Sequence, residues 1–359
     1  YEIASCLVGS EMCIRDSYLI LDRNCNMNCI YCIQGETAKQ DYKPFDYPDP
    51  KKVASYFPSD GREYEVVFYG GEAFLYFDYM IEVAKCIKER NPNVKFAVTT
   101  NGTLLTVKRA NKLNELQFRV NISHDGKVYE RTRRHKDILK SNPEAVTALD
   151  KFVFISTITK YNWDYYEIWD YFEKFRLKYK LKRPKVNMMF LKDNGGMTDD
   201  SLFVYQNKGF ESMLDKVFEN LKKNILTGNF DCYEYDCYEN LFGKLLKEYS
   251  FNNTSSFCAF FDTAMAIDVH GNIYDCHNSI KPYGHVLDEE LTDFENPYLG
   301  QGSCRSCEIK NVCAGGCLKA TPERRKFICY YLQNEIGRML KMLDEIVEKV
   351  NDGGGQFVS

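Results

Sequence analysis

The 359-residue chain carries a formal net charge of −4, with 44% hydrophobic and 27% charged residues. That length allows a large buried core, and the acidic balance argues against a nucleic-acid binder working by phosphate neutralisation. No apolar run approaches the ~20 residues of a membrane span, and no basic start followed by an apolar core marks a secretory signal.

Composition leaves the fifteen cysteines unexplained: three lie within eight residues near the start, and seven lie between Cys258 and Cys329. Disulfide scaffolds suit short secreted chains, whereas clustered thiols in a long chain with an ordinary core fit metal sites in a reducing cytoplasm. Residues 1–16 include most of SCLVGSEMCIRDS, which reads either as a native tail or as a translated sequencing adapter; no function is assigned to them.

From Ser17 onward, short β-rich runs alternate with helical segments: YLIL at 18–21, YEVVFY at 64–69, KFAVTT at 95–100, FRVNIS at 118–123, FVFISTI at 152–158 and VNMMFL at 186–191. Most are apolar throughout, the pattern of parallel strands buried on both faces. Between the second and third, Phe77, Met80, Ile81, Ala84 and Ile87 recur at helical spacing. Such units predict an α/β fold, a partial (β/α)6 barrel of TIM type with its chemistry at the strand ends. Helical patterning continues to about Ile225, and Ile336, Leu340, Leu343, Ile346, Val347 and Val350 mark a terminal amphipathic helix.

CNMNCIYC follows the first run and sets Cys25, Cys29 and Cys32 at CX3CX2C. A fully held cubane needs four thiolates, so three leave one iron for an outside ligand; zinc too would want a fourth protein ligand. YGGE puts Gly70, Gly71 and Glu72 at the end of the second run, where glycines admit a close ligand or a tight turn. TTNG, with Asn101, ends the third run; SHDG, with Ser123 and Asp125, ends the fourth; ITKYN brings Asn162 after the fifth. Arg131, Arg133 and Arg134 follow in the basic run ERTRRHK.

Together these residues resemble the radical SAM family, including the aromatic Tyr31 before the last cysteine of the triad. The resemblance implies a [4Fe–4S] cluster on Cys25, Cys29 and Cys32 that binds and reductively cleaves S-adenosylmethionine. It also implies that Gly70, Gly71, Glu72, Asn101, Ser123 and Asn162 line the cofactor site. One arginine of the basic run suits a carboxylate of that cofactor or of an acidic substrate. Ala73 departs from the proline that the family often has after this Glu.

Farther on, Cys258 is followed by Gly271 and Cys276, then by Cys304, Cys307, Cys313 and Cys317 at CX2CX5CX3C, and by Cys329. This set resembles the SPASM domain of peptide- and protein-modifying radical SAM enzymes, which implies two auxiliary [4Fe–4S] clusters. By that resemblance Cys258, Cys276 and Cys317 hold the first, and Cys304, Cys307, Cys313 and Cys329 the second. The first then lacks a fourth cysteine; Asp262, Cys232 or Cys237 could complete it, or an iron stays open for substrate. The expected organisation is a tail at 1–16, a barrel core at 17–195, a bridging helical region at 196–257, the auxiliary-cluster domain at 258–330, and a terminal helix and tail at 331–359.

Sulfatase-maturing relatives carry a carboxylate after the second SPASM cysteine; this chain has His277 there, which looks more like thioether-forming maturases. His277 and Asp125 are the candidate catalytic groups. The expected enzyme abstracts hydrogen from a peptide or protein side chain and leaves an oxidised or cross-linked residue. It would draw electrons from a flavodoxin or ferredoxin; about sixteen residues precede the first strand, so a leader-peptide-recognition domain is expected to be absent, truncated or carried by a separate protein. The alternatives are a small-molecule dehydrogenase of the same family and a non-enzymatic iron–sulfur carrier.

Overall fold

A computed structural model describes residues 16–34, 47–192, 199–239, 264–288, 302–313, 315–317 and 319–353. Cys258 and Asp262 lie outside the described residues.

The six expected strands are present and parallel: β1 (Asp16–Ile20), β2 (Glu65–Tyr69), β3 (Lys95–Thr100), β4 (Arg119–Ser123), β5 (Phe152–Ile158) and β6 (Lys185–Phe190). They lie side by side in sequence order, and the sheet does not close, which makes a partial TIM-type barrel. Strand β1 starts at Asp16, two residues before the expected run, and draws Ser17 into the sheet. Ser17 is buried there despite its hydroxyl.

Helices cross between the strands: α1 (Phe77–Arg90), α2 (Val107–Glu115) and α3 (Tyr165–Tyr179), followed by α4 (Lys208–Leu226) and the terminal α5 (Arg325–Gly353). Side chains that compete for backbone N–H groups set their starts. Thr106 accepts from the N–H of Arg109, Asp164 from those of Tyr166 and Glu167, and Asn207 from that of Phe210. α1 has Phe77, Met80, Ile81, Val83, Ala84 and Ile87 buried, the face its spacing foretold. Aromatic rings fill the layer between sheet and helices: Phe96 stacks on Phe118 at 5.1 Å, and Phe154 on Phe172 at 4.2 Å.

The sheet continues beyond the barrel strands. β7 (Ala264–Asp268) pairs in parallel with β1, setting Leu19 opposite Ile267, and β8 (Asn272–Tyr274) and β9 (Gly284–His285) add antiparallel edges. The segment expected to form the auxiliary-cluster domain therefore lends Ala266, Ile267 and Ile273 to the buried sheet. The physical reason is the open side of β1, whose backbone groups need a partner.

α5 packs along α4. Three hydroxyls, from Tyr165, Tyr238 and Tyr331, converge on Glu335 Oε1 at 2.6, 2.8 and 3.0 Å. Arg338 meets Asp215 at 2.8 Å and Lys222 meets Glu345 at 2.8 Å. Among the described residues, no helix is long and apolar enough to cross a membrane.

Candidate functional site

The C-terminal ends of the strands surround a cavity of about 290 Å³, and Cys25, Cys29 and Cys32 all reach its wall. Gly70, Gly71, Asn101 and Ser123 line it too, as do Thr157 on β5 and Met189 on β6, so all six barrel strands contribute. The glycines are required by backbone as well as by any ligand. A Cβ on Gly70 would lie 2.2 Å from the Asp22 carbonyl oxygen, and one on Gly71 2.1 Å from that of Asn24. Here β2 presses on the loop that carries the cysteines. The N–H of Gly71 donates to Asp22 O (2.9 Å), and that of Glu72 to Asn24 O (2.8 Å).

Three other expected site residues work behind this wall. Glu72 is buried off the cavity, where its carboxylate accepts from Thr100 Oγ1 (2.6 Å) and from the N–H groups of Asn101 (2.7 Å) and Phe74 (2.9 Å). It brackets the ends of β2 and β3. Burial pushes its pKa up, and these three donors oppose the shift. Asn162 is likewise absent from the cavity wall; its Oδ1 accepts from Thr159 Oγ1 and its Nδ2 donates to Thr157 O, closing the turn after β5.

Asp125 is fully buried and also off the wall. Its Oδ2 accepts from the Tyr31 hydroxyl and from Thr132 Oγ1, its Oδ1 from Arg133 and from the N–H of Thr157. These donors tie the cysteine loop (Tyr31), the short helix Tyr129–Arg133 (Thr132 and Arg133) and strand β5 (Thr157) to the end of β4, so Asp125 acts as an anchor off the cavity wall. Beside it in SHDG, His124 accepts the N–H of Gly126 on Nδ1, which leaves Nε2–H to donate to Asp137 at 3.0 Å.

His277 does reach the cavity. Its ring stacks on Tyr18 at 4.6 Å and meets the edge of Tyr69 at 4.5 Å. The Tyr69 hydroxyl donates to Asn278 Oδ1, which turns the Asn278 amide N–H₂ towards His277 Nε2 at 3.0 Å. Burial, followed by the charges of Lys192 and Arg23, holds the ring well below its usual pKa. It is a neutral ring whose Nε2 already accepts a proton donor. Tyr18, Tyr69, Lys192 and Asn278 also line the cavity and were not singled out from sequence; their place at strand ends was the available signal.

Of the three arginines in the basic run, Arg133 alone lines the cavity and is buried. Arg131 lies over the Tyr161 ring at 3.5 Å, and Arg134 ends a short helix in a left-handed conformation.

Burial pushes the Cys25 thiol up to about 11 and that of Cys29 to about 12, with the charge of Arg133 opposing the latter. Thiolate ligation here therefore depends on a metal's own charge to displace the protons. A second cavity, of about 30 Å³, has Cys304, Cys307, Cys313, Cys317 and Cys329 on its walls. Burial lifts Cys313 to about 12, and the nearby Cys329, Cys307 and Cys304 push it in the same direction. Arg325 donates to Cys304 Sγ at 3.5 Å and Gln333 to Cys307 Sγ at 3.7 Å.

Cys276 stands apart, next to His277, but two links tie its turn to the other cysteine loops. Arg23, two residues before Cys25, donates to the carbonyls of His277 (2.8 Å) and Ser279, and Lys319, two residues after Cys317, meets Asp275 at 2.7 Å. Among the described residues no three His, Cys, Asp or Glu side chains share a single-ion site. Neither Cys232 nor Cys237 lines these cavities, and Cys237 is half-buried near Glu335. Cys86 packs against the core.

The profile of the Radical SAM superfamily matches residues 19–153, which supply most of the residues lining the first cavity. The chain carries a radical SAM domain. It is thus an enzyme, and such a domain implies a [4Fe–4S] cluster and S-adenosylmethionine. The residues present fit both, because three thiols and a buried guanidinium with an unpartnered Nε–H border one cavity.

An uncharacterized protein of Methanocaldococcus jannaschii is 32% identical over 110 residues, which cover 30% of this chain and 37% of that relative. The cysteine-type anaerobic sulfatase-maturating enzyme of Clostridium novyi is 23% identical over 328 residues, covering 82% of this chain and 85% of the enzyme. Native anSMEcpe with bound AdoMet shares the fold at a TM-score of 0.65 and 18% identity, over 94% of this chain and 99% of that one. Streptococcus suis SuiB shares it at 0.59 and 17%, over 88% and 76%.

Proposed function

We propose that this radical SAM enzyme cleaves S-adenosylmethionine reductively and abstracts hydrogen from a peptide or protein side chain, leaving an oxidised or cross-linked residue. The observation that carries the reading is the meeting of Cys25, Cys29 and Cys32 with Gly70, Gly71, Asn101 and Ser123 around one cavity. When bound, the cluster supplies the electron that splits the sulfonium into methionine and a 5′-deoxyadenosyl radical. The protein contributes geometry and shelter. Cys25, Cys29 and Cys32 would hold the cluster, Asn101 and Ser123 would offer polar groups to the cofactor, and the rings of Tyr18, Tyr69 and His277 would keep water from the part of the wall they line.

The choice of a peptide is supported by the sulfatase-maturating relative and by the fold shared with SuiB, which has been solved bound to the precursor peptide SuiA. Cys304, Cys307, Cys313 and Cys329 are the ligands proposed for one auxiliary cluster, and Cys258, Cys276 and Cys317 for another. A flavodoxin or ferredoxin in the cytoplasm would deliver the electron, and a separate protein would recognise the leader of the peptide.

Anaerobic reconstitution with dithionite and S-adenosylmethionine tests the reading. The expected product is 5′-deoxyadenosine, absent when Cys25, Cys29 and Cys32 are replaced by Ala and increased by a substrate peptide. Cleavage that persists in the triple variant overturns the assignment. Turnover on a small alcohol but on no peptide overturns the substrate class. About twelve irons per chain are expected, and about eight would remove one auxiliary cluster.

A further inference from the structure

Arg133 is the buried cation of the cofactor cavity, with its side chain 7% exposed. Three fastenings hold it against the cysteine loop. Its guanidinium donates to Asp125 Oδ1 at 3.0 Å, and the other oxygen of Asp125 accepts from Tyr31, the residue before Cys32. The guanidinium lies 5.6 Å from the centre of the Tyr31 ring. The N–H of Ile30, next to Cys29, donates to the carbonyl of Thr132, next to Arg133.

A buried guanidinium is expensive unless its charge and its donors are satisfied. Asp125 answers only part of this demand. Its negative charge is shared among four donors, from Tyr31, Thr132, Arg133 and Thr157. The Nε–H of Arg133 is buried with no partner among the described residues. A cluster on three thiolates would bring the missing negative charge, because the thiolates outweigh the positive core and each added electron deepens the excess. Coulomb attraction in a site of low dielectric is strong, and it grows on reduction.

We propose that Arg133 is the counter-ion of the cluster on Cys25, Cys29 and Cys32 and raises its reduction potential, with Asp125 and Tyr31 as positioning residues. This rests on the function proposed above. The step concerned is the transfer of one electron from an external low-potential donor to the cluster. No bond forms or breaks at Arg133, and its protons stay in place. The arrangement lets a donor such as flavodoxin reduce a cluster that would otherwise resist a further negative charge.

The test is an anaerobic redox titration of the reconstituted full chain, followed by electron paramagnetic resonance without S-adenosylmethionine. The signal that disappears in Cys29→Ala identifies the cluster concerned. For Arg133→Gln we expect the ratio of reduced to oxidised cluster at fixed potential to fall about tenfold, a shift of about 59 mV to more negative potential. Arg133→Lys keeps the charge and should recover most of that loss. Thr132→Val, which removes one donor from Asp125, should shift the potential in the same direction by less, and it serves if Arg133→Gln fails to hold the cluster.

Titration curves for Arg133→Gln or Thr132→Val that overlie the wild type overturn the proposal. So does a shift that appears only with S-adenosylmethionine present together with weaker binding of it, since the guanidinium would then serve the cofactor's carboxylate. A wild type with no signal dependent on Cys29 overturns the function proposed above instead.

Discussion

From β1 to β6 the fold is held by burial: Leu19, Phe68, Val98, Ile122 and Phe154 are wholly enclosed, and rings stack between sheet and helices. From Gly302 to Arg325 the only apolar side chains buried among the described residues are Ile309 and Ala320. There the chain folds around cysteines and is pinned by Arg325, Lys319 and the turn at Cys276. The two regions divide stability between them. The barrel draws on water exclusion, which needs no metal; under the function proposed above, the second region would draw on ligation.

Stripping iron from the reconstituted protein with a chelator should separate the two most sharply. Hydrogen exchange should then rise by orders of magnitude across 302–324 while amides of β2 to β5 keep their protection. Uniform loss of protection would break the comparison. Phe154→Ala should do the reverse, costing about 3–5 kcal/mol in denaturant unfolding whether or not iron is bound. Glu72→Ala strands three donors at the ends of β2 and β3, so a cost of about 1–3 kcal/mol is expected, together with weaker retention of the first cluster.

A pH series gives a smaller effect confined to the barrel. His124 is buried and neutral, so its folded pKa lies below the unfolded value of about 6.5, with burial as the leading cause. The unfolded chain therefore takes up a proton first as pH falls. Stability should decline below pH ~6.5 by up to about 1.4 kcal/mol per unit. A His124→Asn variant should lose that slope, and an unchanged slope would place the titration elsewhere. Lys319→Ala should cost least, under about 1 kcal/mol, because its ion pair with Asp275 is partly solvated. Its readout is iron content at the cluster proposed for Cys276 and Cys317, not melting.

The barrel was legible because strands buried on both faces must be apolar throughout, and five of the six runs fell within a residue of the observed strands. β7 was not, since AMAID is short and lies among cysteines that already had an explanation. At the site, Cys25, Cys29, Cys32, Gly70, Gly71, Asn101 and Ser123 were singled out at or after strand ends, and His277 by the cysteine before it, and all of them line the cavity. The roles of Glu72, Asp125 and Asn162 could not be read that way. A sequence shows that a carboxylate or amide stands at a strand end, but not its partners: Asp125 takes the Tyr31 hydroxyl from 94 positions away, whereas Asn162 bonds Thr159 three residues before it. His277 illustrates the same gap, for its ring is governed by Asn278, whose amide is oriented by Tyr69.

The pairing of β7 with β1 also has a consequence for synthesis. Strand β1 waits for a neighbour made about 250 residues later, which takes tens of seconds at ~5–20 residues per second. Throughout that interval one side of β1 offers bare hydrogen-bonding groups beside three cysteine thiols. Nascent chains are thus exposed to mispairing and oxidation until Ala264 to Asp268 emerge, so recovery of this enzyme should improve with slower initiation and strict exclusion of oxygen.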